Sequence, residues 1–185
     1  MKNLYLVRHC KAEGQEPDAG LTDTGLEQAD KLADFFSDKS IDYIISSPYE
    51  RAFRTIEPFA VRRGLEIKLD SRLTERVLSG KNHSEWRDML RKTYDDLDLS
   101  YEGGESGNEA IGRAVTVIRE ILDGPYKNAV VVSHGNLLSL LLKSYDSRIG
   151  YSEWEAMSNP DVYHLSFAGE SETPVIRRIW ADSPL

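Results

Sequence analysis

The sequence predicts an α/β fold: a three-layer α/β/α sandwich with a mostly parallel sheet of about six strands and a small helical lid. Two observations carry this. Short apolar runs at residues 4–7, 42–45 and 129–132 alternate with stretches of helical periodicity, in the order β-α-β-α-β-α-α-β-α-β-β, and such alternation implies strands joined by crossover helices. Three of the runs also break off alike, into Arg8-His9, Ser46-Ser47-Pro48 and Ser133-His134-Gly135, so that polar side chains gather at one edge of a parallel sheet.

The elements follow in order. Leu4-Tyr5-Leu6-Val7 is continuously apolar, as a strand covered on both faces should be. A polar loop with Pro17 leads to Thr22, a good N-cap, and Leu26, Ala29, Leu32, Ala33 and Phe36 then recur at helical spacing. After the second strand, Pro48 is expected early in a helix carrying Arg51, Ala52 and Ile56. Pro58 is expected to kink or shorten that helix, and Gly64 to stop it. Residues 65–69 read as a third strand, followed by a polar loop holding Glu75.

A helix is expected over 84–97, with Trp86, Met89, Leu90, Tyr94 and Leu97 on one face. Asp95, Asp96 and Asp98 oppose the dipole at its C-terminal end, which should fray. Ser106 and Glu109 have capping-box spacing, opening a helix that Gly124-Pro125 ends. Residues 129–132 form the fourth strand, 137–142 a buried helix, and 162–167 with 175–180 a final pair of strands around Gly169. The chain reads as one domain over residues 1–185, with a lid segment at about 73–105.

Composition narrows the function. Hydrophobic residues make up 40% and charged residues 29%, ordinary values for a globular chain. With 31 acidic and 23 basic residues the net charge is −8; nucleic-acid binders show a basic excess or stripe, so no nucleic-acid partner is expected. The first apolar run is too short for a leader core or a membrane span, and with one cysteine a cytoplasmic location is expected. G-x-x-x-x-G-K-[ST] and G-x-S-x-G are both absent, against a nucleotide kinase or an α/β-hydrolase. The four histidines and one cysteine have no metal-ligand spacing, so neither metal nor cofactor is expected.

The shared sheet edge brings Arg8, His9 and His134 together, with Arg51 one turn into the helix after Pro48. Planar guanidinium groups match phosphate oxygens, and helix N-termini add N–H donors. A neutral imidazole is a competent nucleophile at neutral pH. The residue types therefore allow phosphoryl transfer through histidine, and Glu75, in the loop after the third strand, is a candidate to protonate a leaving oxygen.

Six segments in order carry a family resemblance: Leu6-Val7-Arg8-His9; Leu21-Thr22-Asp23-Thr24-Gly25 with Gln28-Ala29; Ser46-Ser47-Pro48 with Arg51-Ala52 and Thr55; Leu73-Thr74-Glu75-Arg76; Gly104-Glu105-Ser106; and Ser133-His134-Gly135. On these the chain resembles the histidine phosphatase superfamily, which includes the cofactor-dependent phosphoglycerate mutases, and its short loop before Leu21 resembles the smaller phosphatases. The resemblance implies a phosphomonoesterase acting on a small phosphorylated metabolite, phosphoamino acid or phosphoprotein, with His9 as the phosphorylated nucleophile. It implies Arg8, Arg51 and His134 as phosphoryl-binding groups and Glu75 as acid and base. Mutase-type transfer, and a non-catalytic phospho-ligand or protein-binding module on the same fold, are the alternatives.

Departures cluster after the nucleophile. Cys10 stands where the family usually has Gly, Ala12 where Ser or Thr is common, and Gln15 near a phosphate-contacting Asn of the mutases. Cys10, Gln15 and Ser106 are candidate pocket residues, Ser106 being an N-cap first. A cysteine phosphatase would need Arg six positions after Cys10, where Glu16 stands. Glu13, Glu102 and Glu105 are the other acids that could reach the site. His83 is expected to face solvent and His164 to make a structural hydrogen bond.

Overall fold

In the computed structural model, which describes residues 1–169 and 173–180, the strands are β1 (Lys2–Arg8), β2 (Tyr43–Ser46), β3 (Ile67–Leu69), β4 (Asn128–Ser133), β5 (Asp161–Phe167) and β6 (Val175–Arg178). The helices are α1 (Asp23–Phe36), α2 (Glu50–Arg63), α3 (Trp86–Asp95), α4 (Gly107–Asp123), α5 (Gly135–Tyr145) and α6 (Tyr151–Glu155). The strands form one sheet in the order β3-β2-β4-β1-β5-β6.

The sheet is mixed rather than mostly parallel. β1, β2, β3 and β4 run parallel, whereas β5 pairs antiparallel with both β1 and β6. The cause is α6, which the sequence reading missed. With the loop after it, α6 returns the chain to the edge where β4 ended, so β5 starts opposite Arg8 (Arg8↔Asp161) and runs the other way. The expected final pair of strands is β5 and β6; part of its turn, residues 170–172, lies outside the described residues.

Alternating strand residues feed two cores. Leu4, Leu6, Ala129 and Val131 pack with α4 and α5 through Ala114, Ile118, Leu137 and Leu141. Val7, Ile44, Val130 and Val132 pack with α1 and α2 through Leu32, Phe36, Ile56 and Phe59. Burial on both faces is why these strands read as unbroken apolar runs. Leu26 is the exception on α1, half exposed at 52%.

α2 begins at Glu50, after Pro48, and continues through Pro58 to Arg63. An interior proline costs about 3 kcal/mol, but burying Ile56 and Phe59 contributes about 1.5–3 kcal/mol per side chain, so the helix persists. Gly64 ends it with φ +65°, a left-handed value suited to glycine. α3 is shorter than expected at both ends, and its acidic tail unwinds after Asp95. Trp86, expected on the buried face, is 40% exposed at the first turn. The capping box of Ser106 and Glu109 is present at α4.

Candidate active site

The parallel strands end level. Arg8 lies opposite Ser133 and Ser46 opposite Val132, so the residues that follow β1, β2 and β4 share one edge, where open α/β sheets bind ligands. His9 is the first residue beyond β1 and is 7% exposed. Its Nδ1 lies 2.7 Å from the Cys10 carbonyl oxygen. A carbonyl only accepts, so Nδ1 carries the proton and Nε2 presents its lone pair. Arg51 Nε donates to that Nε2 at 3.4 Å.

The backbone beneath His9 is held on several sides. His9 N donates to Ser133 O, and Cys10 N donates to Thr55 Oγ1 on α2 at 2.8 Å. Thr22 N donates to Lys11 O, and Lys11 N to Gln28 Oε1. A Cβ at Gly25 would lie 2.1 Å from Lys11 O, so only glycine admits this approach of α1 to the loop.

His134 forms the opposite wall, its ring centroid 5.2 Å from that of His9. Its Nε2 lies 2.9 Å from Ser47 Oγ, which also accepts from Tyr49 N. The hydroxyl has one hydrogen and two lone pairs, so this contact fits either neutral tautomer of the ring. The ring's Nδ1 is buried and, like Arg8 Nε, has no hydrogen-bond partner among the described residues. Buried polar groups are normally satisfied, and these two are exceptions. Tyr49 packs edge-on against His134, with the Arg51 guanidinium over its ring.

Burial pushes His9 down to about 4, with Arg51 and Arg8 adding to the shift and its hydrogen bond to Cys10 opposing it. His134 is held well below its ordinary value, chiefly by burial and then by His9 and the arginines. Both imidazoles are therefore neutral at pH 7. Burial also lowers Arg8 and Arg51, against Glu75, which raises both. Arginine stays charged regardless, so the pocket joins two fixed cations to a neutral imidazole.

Glu75 closes the third side. Its Oε1 accepts from Arg76 N and Leu137 N, each at 2.8 Å, and its Oε2 from Asn136 N at 3.1 Å. The carboxyl group thus sits on the N-terminus of α5, where negative charge is favoured. Arg113 braces this segment by donating to the carbonyls of Arg72, Thr74 and Glu75 while paired with Glu105. Arg76, buried, donates to Glu105 O and Thr93 Oγ1. Among the described residues no three His, Cys, Asp or Glu side chains are grouped to hold a metal ion.

The model of the histidine phosphatase superfamily, branch 1, matches residues 4–179. The chain belongs to that superfamily. A curated relative, "Putative phosphoserine phosphatase 2" of Hydrogenobacter thermophilus, is 29% identical across 95% of this chain and 94% of its own length. "Probable phosphoglycerate mutase GpmB" of Salmonella choleraesuis is 30% identical across 83% of this chain and 78% of its own. Among solved structures, the mycobacterial glucosyl-3-phosphoglycerate phosphatase shares the fold with a TM-score of 0.77 at 24% identity, covering 99% of this chain and 100% of that one.

The departures from the superfamily pattern fall as follows. Cys10 is fully buried, and burial pushes its thiol up to about 12, the opposite of an activated cysteine. Gln15 is exposed; its backbone carbonyl, with that of Glu16, accepts from Arg51 Nη1 at 3.0 Å. Ser106 is taken up by its cap. Glu13 and Glu102 are exposed, and Glu105 is paired with Arg113. His83 is half-buried against Ser79 Oγ, and His164 bonds Asn3 Oδ1. Sequence reasoning missed Tyr49, Met157 and Asn159. Met157 O accepts from Arg8 Nη1 at 3.0 Å and Asn159 Nδ2 donates to His9 O at 2.9 Å.

Proposed function

We propose that this protein is a phosphomonoesterase that works through a phosphohistidine on His9. The observation that carries the reading is the unprotonated Nε2 of His9, faced by the Arg51 guanidinium and flanked by the His134 ring, with Arg8 beside it in the chain. A phosphoryl dianion entering there meets donors matched to its oxygens. His9 Nε2 attacks phosphorus, the bond to the substrate oxygen breaks, and the arginines with His134 stabilise the charge on the transferring oxygens.

The leaving oxygen needs a proton. Glu75 has two lone pairs engaged on Oε1 and one on Oε2, which leaves one site on Oε2 for a proton. In this reading Oε2 takes up a proton from solvent as the phosphoryl dianion binds, gives it to the departing alkoxide, then takes one from the water that attacks the phosphohistidine. Free His9 and inorganic phosphate result. The cations that metal-dependent phosphatases take from a metal ion are supplied by Arg8 and Arg51.

The substrate is a small phosphorylated molecule. His9 and His134 are nearly closed off, which favours a metabolite or phosphoamino acid over a folded phosphoprotein. Residues 73–105, laced by Arg76 and Arg113, form a lid over the edge. The relative named for phosphoglycerate mutase supports a second reading, phosphoryl transfer between positions of one substrate.

Phosphate release from a panel holding phosphoserine, glucosyl-3-phosphoglycerate, other sugar phosphates and phosphoglycerates, with and without EDTA, tests the proposal. Turnover of at least one compound, unchanged by EDTA, is expected. Silence across the panel would remove the phosphatase reading, and interconversion of 2- and 3-phosphoglycerate would replace it with the mutase.

A further inference from the structure

We propose that Asn159 is a positioning residue for the nucleophile, holding the His9 carbonyl where the β1–β5 ladder ends. β1 and β5 pair antiparallel with Val7 opposite Val162 and Arg8 opposite Asp161. One step further the register brings His9 opposite Pro160. This pair falls at a non-hydrogen-bonding position of the ladder, since His9 N donates across to Ser133 O of β4. Just beyond the ladder, Asn159 Nδ2 donates to His9 O at 2.9 Å. The carbonyl carried by the nucleophile is thereby satisfied from a loop about 150 positions away in the chain.

The loop is built to hold that amide still. Asp161 is fully buried. Its Oδ2 accepts from Ser158 N at 3.1 Å and pairs with Arg178 at 2.7 Å, while Oδ1 accepts from Val162 N and Arg178 Nε. Ser158 Oγ donates to Pro160 O. Arg8 Nη1 reaches the same loop at Met157 O. One loop thus fixes both residues of the Arg8-His9 pair, Asn159 acting on the backbone of His9 and Met157 on the side chain of Arg8.

The His9 ring is tied to this backbone through Nδ1 and the Cys10 carbonyl. A tilt of the His9–Cys10 peptide therefore moves Nε2. Misplacement of a reacting atom by about 1 Å can cost 10²-fold. Of the phosphate-binding donors, Arg51 and His134 belong to other elements and stay where they are, and Arg8 keeps its own bond to Met157 O. Asn159 consequently acts on the rate of the chemical step rather than on the hold on phosphate.

The inference rests on the phosphohistidine reading for its kinetic consequence, and its test separates the two. Asn159→Ala removes the donor, and Asn159→Asp keeps the size but offers only acceptors at neutral pH. Rapid-quench measurement should show phosphoenzyme forming about 10- to 100-fold more slowly in both, with KM and inhibition by inorganic phosphate within about two-fold of wild type. Asp should be no better than Ala. NMR of protein labelled at the His9 carbonyl and ring should show both signals moved in each variant, a readout that needs no turnover. Unmoved His9 signals, or an Asn159→Asp variant as fast as wild type, would overturn the role. Loss of phosphoenzyme in the wild type, with the signals moved in the variants, would overturn the phosphohistidine reading alone.

Discussion

Arg51 Nε stands 3.4 Å from His9 Nε2 and points its hydrogen at the lone pair that would attack phosphorus. Such a long hydrogen bond is weak, so a phosphoryl oxygen can take the donor and free the lone pair in one movement. Arg51→Lys keeps the charge but loses the planar fork that also holds the carbonyls of Gln15 and Glu16. Steady-state kinetics with the best panel substrate should show kcat/KM down by roughly 10²-fold or more, with a raised KM.

His9→Ala should remove turnover while leaving the fold. The substitution frees the Cys10 carbonyl of one donor, a loss on the order of 1 kcal/mol. Thermal unfolding should therefore shift by only a few degrees. Phosphate release near wild-type rates from this variant would end the histidine mechanism.

The depressed pKa of His9 sets the acid side of the pH profile. In the free enzyme Nε2 is a base above about 4, so kcat/KM should hold its value well below pH 6.5. Stability follows the same group. The unfolded chain binds a proton on this histidine near 6.5 and the folded chain near 4. Below 6.5 the unfolded state therefore takes up more protons, and stability falls as pH drops through that window. The neutral ring's contribution is whole above 6.5, and roughly 3 kcal/mol of it is lost by pH 4. Denaturant melts from pH 7 to pH 4 check this, with the decline smaller in His9→Ala.

Glu75→Gln should reduce both rate and stability. The amide puts a donor where the carboxylate accepts from the Asn136, Leu137 and Arg76 N–H groups, costing about 1–3 kcal/mol. Loss of the proton carrier should lower kcat about 10²- to 10⁴-fold. A Gln variant turning over at the wild-type rate would assign the proton to another group.

Cys10 should be silent to thiol reagents in the native state. Its side chain is fully buried and its thiol is pushed up to about 12, so almost no thiolate exists at neutral pH. Titration with a chromogenic disulfide should find no reactive thiol in the folded protein and one per chain after unfolding.

The sheet edge was legible in the sequence because each parallel strand is buried on both faces and then stops at polar residues. Arg8-His9, Ser46-Ser47 and Ser133-His134 therefore announce one edge at three places. α6 was not legible: five residues carry no period, and Gly150 is not an obvious start. Without α6 the antiparallel course of β5 could not be foreseen. Met157 was equally hidden, since it serves Arg8 through a backbone carbonyl that any residue supplies. Asn159 was hidden too, because it reaches His9 O from a loop 150 positions away that carries no periodic signal.

The pairing of β1 has a consequence for how the protein comes into being. Its two sheet neighbours, β4 and β5, begin at residues 128 and 161. Chains emerge from the ribosome in order, at about 5–20 residues per second, so β1 waits several seconds without either partner. The segment bearing His9 is then an unpaired apolar strand that a chaperone can hold, and His134 follows it 125 residues later. The pocket is therefore completed only after β4 emerges, and a nascent chain stalled before β4 carries His9 without His134.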